Sequence, residues 1–223
     1  MHCRKRLRVG IRACCGAFAM VKRIGAVILA AGLARRMGGQ KLLLQLGEMT
    51  IFSHVVKNTA GNLWQDCIAV LGQPEGELAD ICRQYHLRWI YNPQRGSGQA
   101  SSIHLGISNL SCGLDGFVFI LGDQPLISQE LLRTLHDEFL RHDNQAIIVP
   151  RHDGQRCSPA LFGAAWKEEL LSLQGDVGGR SIIERHPNQL VFVDWPDGGT
   201  FLDADSWEDY ELLQKYYLAK NGW

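Results

Sequence analysis

Short, almost uninterrupted apolar runs alternate along this chain with segments of helical periodicity. Apolar runs bounded by turn residues are typical of strands that are covered on both faces. When such strands alternate with helices, the chain forms a parallel sheet between two helical layers. We therefore predict a three-layer α/β fold with a mostly parallel sheet. Strands are predicted over 24–30, 66–71, 88–91, 117–121, 146–149 and 190–193, and helices over 51–58, 75–85, 97–107, 129–141, 164–173 and 206–217.

Charge is spread unevenly over the 223 residues, although 23 basic and 23 acidic side chains cancel. Residues 1–23 carry seven of the basic side chains and no acidic one, so the remainder holds 16 basic against 23 acidic residues and is net −7. An acidic body argues against a nucleic-acid-binding protein. We expect a basic, disordered extension over 1–19, dispensable for folding and activity, and a single domain over 20–223.

Cysteine usage and hydropathy bear on the compartment. The seven cysteines are odd in number and form no Cys-x-x-Cys pair, which favours reduced thiols in the cytoplasm. An uncharged apolar stretch of the length of a membrane-spanning helix does not occur. We therefore expect neither a membrane nor a nucleic acid as a partner.

The first predicted strand runs into a turn of small residues and then into a cationic loop. The turn consists of Ala30, Ala31 and Gly32, and the loop ends at Lys41. Small side chains leave backbone N–H groups open to a ligand, and Arg36 and Lys41 add positive charge. This pattern favours close approach to a polyphosphate, although a strand that ends in a solvated turn can have the same residues.

Two further segments follow predicted strands, whose carboxyl ends meet at one edge of a parallel sheet. Asp123, within Gly-Asp-Gln-Pro, comes after the strand over 117–121 and offers the hard oxygen ligand that Mg²⁺ prefers. Asn92 comes after the strand over 88–91, and glycines and serines over 96–102 open a helix whose free N–H groups suit an anion. Alone, the first segment is equally a turn and the second a helix cap. Together they predict one crevice for phosphate and metal.

In this order the segments resemble the MobA-like nucleotidyltransferases, and among them the molybdenum cofactor cytidylyltransferases. The sequence LAAGLARRMGGQK over 29–41 is similar to the family signature LAAGxSxRMGxxK. The resemblance covers nearly all of 24–217 and implies a nucleotide-diphospho-sugar-transferase-like (Rossmann-like) fold. It also implies dependence on Mg²⁺ or Mn²⁺ and transfer of a nucleotidyl group to a phosphate with release of pyrophosphate. Supporting segments are 92–93, 96–102, 122–125, 158–162, 175–180 and 202–209.

The resemblance assigns roles residue by residue. Catalytic roles fall on Arg36, Lys41 and Asp123. Nucleotide-binding roles fall on Leu29, Ala30, Ala31, Gly32, Arg36, Lys41, Asn92, Ser97 and Ser101. Contact with the acceptor falls on Pro159, Asp176 and Arg180. The metal ligand is Asp123, with Asp203 or Asp205 as a candidate second ligand.

Shorter sequence features bear on the identity of the nucleotide and of the acceptor. In this family Ala-Ala-Gly accompanies cytidine and Leu-Ala-Gly-Gly accompanies guanosine, so residues 29–32 favour CTP. The expected acceptor is the phosphate of molybdopterin cofactor, and the partner that the resemblance suggests is a molybdenum hydroxylase or its chaperone. Ala34 replaces the signature serine and Cys157 replaces a glycine, which leaves the acceptor open. The alternatives are transfer to a sugar phosphate or a methylerythritol-type phosphate, and a non-catalytic molybdenum cofactor carrier.

Overall fold

The computed structural model describes residues 22–32, 41–73 and 75–222, so the predicted extension over 1–19 lies outside it. The strands are β1 (Ile24–Ala30), β2 (Gln45–Leu46), β3 (Met49–Thr50), β4 (Asp66–Leu71), β5 (Arg88–Tyr91), β6 (Gly116–Leu121), β7 (Ile147–His152), β8 (Gln155–Arg156), β9 (Ala160–Gly163) and β10 (Leu190–Asp194). The α-helices are α1 (Ile51–Thr59), α2 (Glu75–Gln84), α3 (Gln99–Asn109), α4 (Gln129–Leu140), α5 (Lys167–Ser172), α6 (Arg180–Arg185) and α7 (Trp207–Asn221). None of these helices has the length and apolar character needed to cross a membrane.

The main sheet has the strand order β10-β7-β9-β6-β1-β4-β5, with β8 paired to β7. Strands β5, β4, β1 and β6 run parallel, as do β7 and β10, while β9 runs antiparallel to both of its neighbours. The predicted three-layer, mostly parallel architecture is therefore confirmed. The sequence analysis did not predict β9, the strand that reverses direction.

Strand β1 lies at the centre of the parallel part and is bonded on both sides. Val27 is in register with Ile68 of β4 and with Phe119 of β6. Parallel register aligns the carboxyl ends of β1, β4, β5 and β6 at one edge of the sheet. The segments that follow these strands, among them residues 30–32, 72–73, 92–98 and 122–125, therefore surround a common crevice.

Successive side chains of β1 enter different hydrophobic cores, because side chains alternate across a strand. Ile28 packs in one core with Phe52 and Leu131, under helices α1, α2 and α4. Val27 packs in the other core with Ile103, under α3, α5 and α6. Both faces of the sheet are thus covered, which explains the uninterrupted apolar character of its strands.

A third, smaller core holds α7 against the β2–β3 hairpin. It consists of the fully buried Leu46, Ile51, Ala204 and Leu213. The hydroxyl of Tyr210 on α7 donates to the Gln45 carbonyl oxygen at 2.6 Å. Helix α7 begins in a capping box between Ser206 and Asp209, so its start is well defined. Its packing fixes the preceding residues 202–206 near the hairpin and near Lys41.

Candidate functional site

The floor of the crevice is built from small residues at the ends of three strands. Gly72 N–H donates to the Ala30 carbonyl at 3.0 Å, and Gly122 N–H donates to the Leu29 carbonyl at 2.9 Å. A Cβ atom on Gly72 would lie 2.9 Å from Ala31 Cα, too close for a side chain. Because Gly72 and Gly122 have no side chains, the ends of β1, β4 and β6 can converge. The Ala30 and Ala31 side chains are buried, whereas a Cβ on the exposed Gly32 would meet open space. Predicted Arg36 lies outside the described residues.

Lys41 brings carboxylates from distant parts of the chain together. Its Nζ lies 2.5 Å from Asp123 Oδ2 and 2.7 Å from Asp205 Oδ1. The Lys41 side chain is only 11% exposed, that of Asp123 19% and that of Asp205 50%. Asp123 follows β6, and Asp205 immediately precedes α7. The cluster thus joins the sheet edge to the carboxy-terminal helix.

Negative charge exceeds positive charge in this part of the crevice. Burial by itself lowers the pKa of Lys41, but Asp123 and Asp205 outweigh burial and the net pKa is raised, which keeps the ammonium charged. Burial raises the pKa of Asp203 to about 6, and the charges of Asp123 and Asp205 add to this effect. Among the described residues, three carboxylates thus share one ammonium.

The carboxylates fit a hard divalent cation. No three His, Cys, Asp or Glu side chains converge as a ready-made metal cage within 22–32, 41–73 and 75–222. Such a cage is not needed for Mg²⁺, which usually takes one or two carboxylates plus substrate phosphates. Burial, together with the charges of Asp123 and Asp205, raises the pKa of Asp203, and a cation would neutralise part of this negative charge. Asp123, with Asp203 or Asp205, supplies the oxygen ligands that such an ion prefers.

The loop after β5 is shaped by a buried asparagine. Asn92 is 2% exposed, and its Nδ2 donates to Ser101 Oγ and to Ser102 Oγ, both at 2.9 Å. Its Oδ1 accepts from Gln94 N–H at 2.9 Å. Because both ends of the amide are bonded within the protein, Asn92 holds the loop in shape, whereas Ser97 is exposed at its surface.

Helix α3 begins at Gln99, two residues later than predicted, because of the conformation of Gly98. Gly98 has φ +96°, a value that favours glycine, and a Cβ there would lie 2.2 Å from the Gly175 carbonyl carbon. Ala100 N–H donates to the Gly175 carbonyl oxygen at 3.2 Å. The loop that contains Asp176 is thereby held against the start of α3. A groove of about 500 Å³ is lined by residues 92–94, by α3 and by residues 173–175.

The remaining predicted acceptor residues lie on the side of β7–β9. Pro159 is buried between β8 and β9. Arg180 begins α6, and its side chain is 84% exposed. Its Nε donates to Glu184 Oε1 at 2.8 Å, and Arg156 lies 3.7 Å from the same oxygen. An anionic acceptor would find two guanidinium groups here that already share one carboxylate.

Sequence reasoning missed the contacts that hold α7 in place. Asp197 accepts hydrogen bonds from Gly199 N–H at 3.0 Å, Thr200 Oγ at 3.1 Å, Lys220 Nζ at 2.9 Å and the Tyr216 hydroxyl. Burial alone would raise the pKa of Asp197, but the hydrogen bonds from Tyr216, Lys220 and Thr200 lower it to about 2. The only sequence signal is the Asp-Gly-Gly turn, which does not identify the partners on α7. We call Asp197 and these four partners the α7 latch.

A match to one family model over most of the chain establishes the protein family. Residues 26–190 match the family model of the MobA-like NTP transferase domain. The chain belongs to this family. The match spans the small-residue turn, Lys41, Asp123 and the loop with Asp176, whereas Asp203 and Asp205 lie beyond it.

Several curated proteins are similar to this MobA-like chain over most of their length. The purine catabolism protein PucB of Bacillus subtilis is 28% identical over 200 residues, which are 85% of this chain and 95% of PucB. The molybdenum cofactor cytidylyltransferase of Escherichia coli is 29% identical over 195 residues, or 87% and 97% of the two chains. A probable molybdenum cofactor guanylyltransferase of Natranaerobius thermophilus is 30% identical over 209 residues, or 88% and 98%.

Solved structures share the fold. A nucleotidyl transferase from Methanothermobacter superposes with a TM-score of 0.76 at 22% identity, over 89% of this chain and 99% of the other. The manganese complex of Rv0371C from Mycobacterium tuberculosis superposes with a TM-score of 0.70 at 26% identity, over 87% and 99%. The MobA-like chain therefore has the nucleotide-diphospho-sugar transferase fold.

Proposed function

We propose that this chain is a cytidylyltransferase that transfers CMP from CTP to the phosphate of a molybdopterin-type cofactor, with Mg²⁺ or Mn²⁺ as the metal. The observation that carries this proposal is the cluster of Lys41, Asp123 and Asp205 beside the small-residue turn. It offers both a cation and carboxylates at the edge where α/β sheets bind ligands. The choice of CTP is supported by the sequence Ala30-Ala31-Gly32, since a cytidylyltransferase and a guanylyltransferase are similar to this chain to the same extent.

In the proposed reaction an acceptor phosphate oxygen attacks the α-phosphorus of CTP. A new P–O bond forms, the bond from the α-phosphorus to the bridging oxygen breaks, and pyrophosphate leaves with the electron pair. The acceptor is already anionic, so no strong general base is required. In this proposal the N–H groups of the small-residue turn, together with the guanidinium of Arg36 and the ammonium of Lys41, stabilise the charge that develops on pyrophosphate.

The carboxylates around Lys41 have two roles in this proposal. Asp123 and Asp205 hold the ammonium in a fixed position before substrate binds, which makes its stabilisation of the transition state more effective. Asp123, with Asp203 or Asp205, would hold the divalent ion. When bound, such an ion supplies charge neutralisation and Lewis acidity at the phosphates. The proposal also gives a nucleotide-binding role to Arg36, Ser97 and Ser101, and an acceptor role to Pro159, Asp176 and Arg180. Asn92, expected to bind the nucleotide, acts here by holding the loop that carries Ser97 and Ser101.

The cellular setting belongs to the same proposal. Residues 20–223 would act as one domain in the cytoplasm, and a molybdenum hydroxylase or its chaperone would receive the product. The reduced-thiol pattern of the cysteines and the name of the Escherichia coli relative support this setting.

Pyrophosphate release tests the proposal directly. Purified protein is supplied with Mg²⁺, with CTP, GTP or ATP in turn, and with molybdenum cofactor as the acceptor. We expect rapid release with CTP, slower release with GTP and none without acceptor. Tight binding of the cofactor with no release from any nucleotide would instead identify a carrier.

A different acceptor is the second candidate. The similarity to PucB, a purine catabolism protein, favours it, because that protein is matched over 95% of its length. Cys157, where the family signature has glycine, adds a Cβ beside the proposed acceptor loop. Pyrophosphate release from CTP with a sugar phosphate, but not with molybdenum cofactor, would establish this alternative.

A further inference from the structure

Arg95 lies at the far side of the crevice from the Lys41 cluster. It belongs to a short 3₁₀ turn, Arg95–Ser97, that follows β5. Asp123 follows β6, and the strand order β6-β1-β4-β5 separates the two ends by three strand spacings, roughly 14 Å. A ligand that spans these strands can therefore meet both the cluster and Arg95.

The guanidinium of Arg95 lies close to Gly72, the residue that follows β4. A Cβ placed on Gly72 would lie 3.1 Å from Arg95 Nη1 and 2.9 Å from Ala31 Cα. The guanidinium thus lies over the same glycine that approaches Ala31, at the ends of β1 and β4. Any side chain at position 72 would push it away.

Little in the described part of the chain uses the donors of Arg95. Its Nη2 donates to Gln73 Oε1 at a long 3.4 Å, and Gln73 Nε2 donates in turn to the Tyr91 hydroxyl at 3.4 Å. None of the ion pairs within 22–32, 41–73 and 75–222 includes Arg95, in contrast to Arg151, which pairs with Asp194. A guanidinium has five N–H donors. A half-buried arginine that lines a crevice with most donors free is available to a ligand.

We propose that Arg95 is a specificity residue that donates two hydrogen bonds to the base of the nucleotide. The inference rests on the proposed function, since it places the triphosphate beside Lys41 and Asp123. The nucleoside then extends across β1 toward Gly72 and Arg95. A guanidinium matches two neighbouring acceptors, such as O6 and N7 of guanine. Cytosine offers such a pair in O2 and N3.

The same geometry discriminates against the other two bases. On the Watson–Crick and Hoogsteen edges of adenine, and on the Watson–Crick edge of uracil, each acceptor lies beside an N–H donor and not beside a second acceptor. Two N–H donors of the Arg95 guanidinium would therefore find only one acceptor on either base. Arg95 is therefore expected to favour CTP and GTP over ATP and UTP, and the Ala30-Ala31-Gly32 turn would choose between the first two.

Equilibrium binding of the four nucleotides, measured with Mg²⁺ and without acceptor, tests this role. Wild type is compared with Arg95→Gln and with the matched control Arg133→Gln, a change at an exposed position on α4. We expect Arg95→Gln to weaken CTP binding by about tenfold or more, the scale of a bidentate arginine–base contact. ATP and UTP should change by less than about twofold, since each offers only a single acceptor to the fork. The control should leave all four dissociation constants unchanged.

Two results would overturn the inference. Equal weakening of all four nucleotides would show that Arg95 binds phosphate or ribose, and unchanged binding would show that it does not reach the ligand. Both results leave the proposed function intact, because pyrophosphate release by wild type is measured separately. Wild type that binds none of the four nucleotides would instead overturn the proposed function and this inference together.

Discussion

Replacing Lys41 with methionine removes the one ammonium that the described carboxylates of the crevice share. Removing one partner of a buried ion pair costs about 3–5 kcal/mol. Asp205 is 50% exposed and water screens its charge, so we expect a smaller loss of about 2 kcal/mol at pH 8. For a domain of this size the loss corresponds to a decrease of about 4–8 °C in Tm.

The loss of stability in Lys41→Met should depend on pH in a defined direction. In wild type the pKa of Asp203 is raised to about 6, so the folded state holds a proton that the unfolded state releases near pH 4. Stability therefore falls as pH rises from about 4 to 6. Without Lys41 the folded pKa of Asp203 rises further, and stability continues to fall above pH 6. The difference between variant and wild type should thus be larger at pH 8 than at pH 5.

Chemical denaturation at pH 5 and pH 8 measures this difference, and pyrophosphate release measures its functional consequence. We expect release to fall by about 100-fold or more, which is typical when a preorganised charge-stabilising group is lost. Lys215→Met, a change at an exposed position on α7, is the matched control. A variant with equal destabilisation at both pH values, or with turnover near that of wild type, would refute the reasoning.

Three further changes test other parts of the site. Asp123→Asn should lower pyrophosphate release by about 100-fold or more with a smaller decrease in Tm than Lys41→Met, because Lys41 keeps Asp205 as a partner and the crevice loses one of its excess negative charges. Asp137→Asn, at a half-exposed position on α4, should change neither. Asp197→Asn weakens the α7 latch and should cost about 1–2 kcal/mol at pH 7 by denaturation. Since the pKa of Asp197 is lowered to about 2, most of that difference should be lost as pH falls from about 4 to 2, and an undiminished difference at pH 2 would contradict it. Gly98→Ala combines φ +96° with a Cβ 2.2 Å from Gly175, so it should cost about 1–3 kcal/mol and weaken nucleotide binding, both measurable by calorimetry.

Local pattern was sufficient for the central strands. Strands β1, β4 and β5 have the bounds that the sequence predicts, because an uninterrupted apolar run between turn residues leaves little choice. Strand β9 was missed, since its pairing with β6 and β7 is antiparallel and joins segments that local pattern does not relate. Helix α6 was missed because its six residues directly follow Gly178 and Gly179, which are typical of a loop.

The residues of the candidate site likewise include some whose position local pattern predicts and some whose position it does not. The small-residue turn and Asp123 follow strands, so the rule for parallel sheets predicts that they share a crevice. Arg36 lies outside the described residues, so its predicted role stays a prediction. The contact between Lys41 and Asp205 joins residues 164 positions apart, and no local sequence pattern predicts it. The position of Arg95 over Gly72 was likewise not predicted.

By itself the sequence determined the parallel sheet, the nucleotide-compatible turn and the family resemblance, because these depend on residue order within short segments. The tertiary structure alone decided which charges meet. Helix α7 packs through Leu213 on the β2–β3 hairpin and is fastened by Asp197, and this packing brings Asp203 and Asp205 to Lys41. The reason is physical: the balance of charge in the crevice depends on distance and burial, and both are fixed by contacts between segments far apart in the chain.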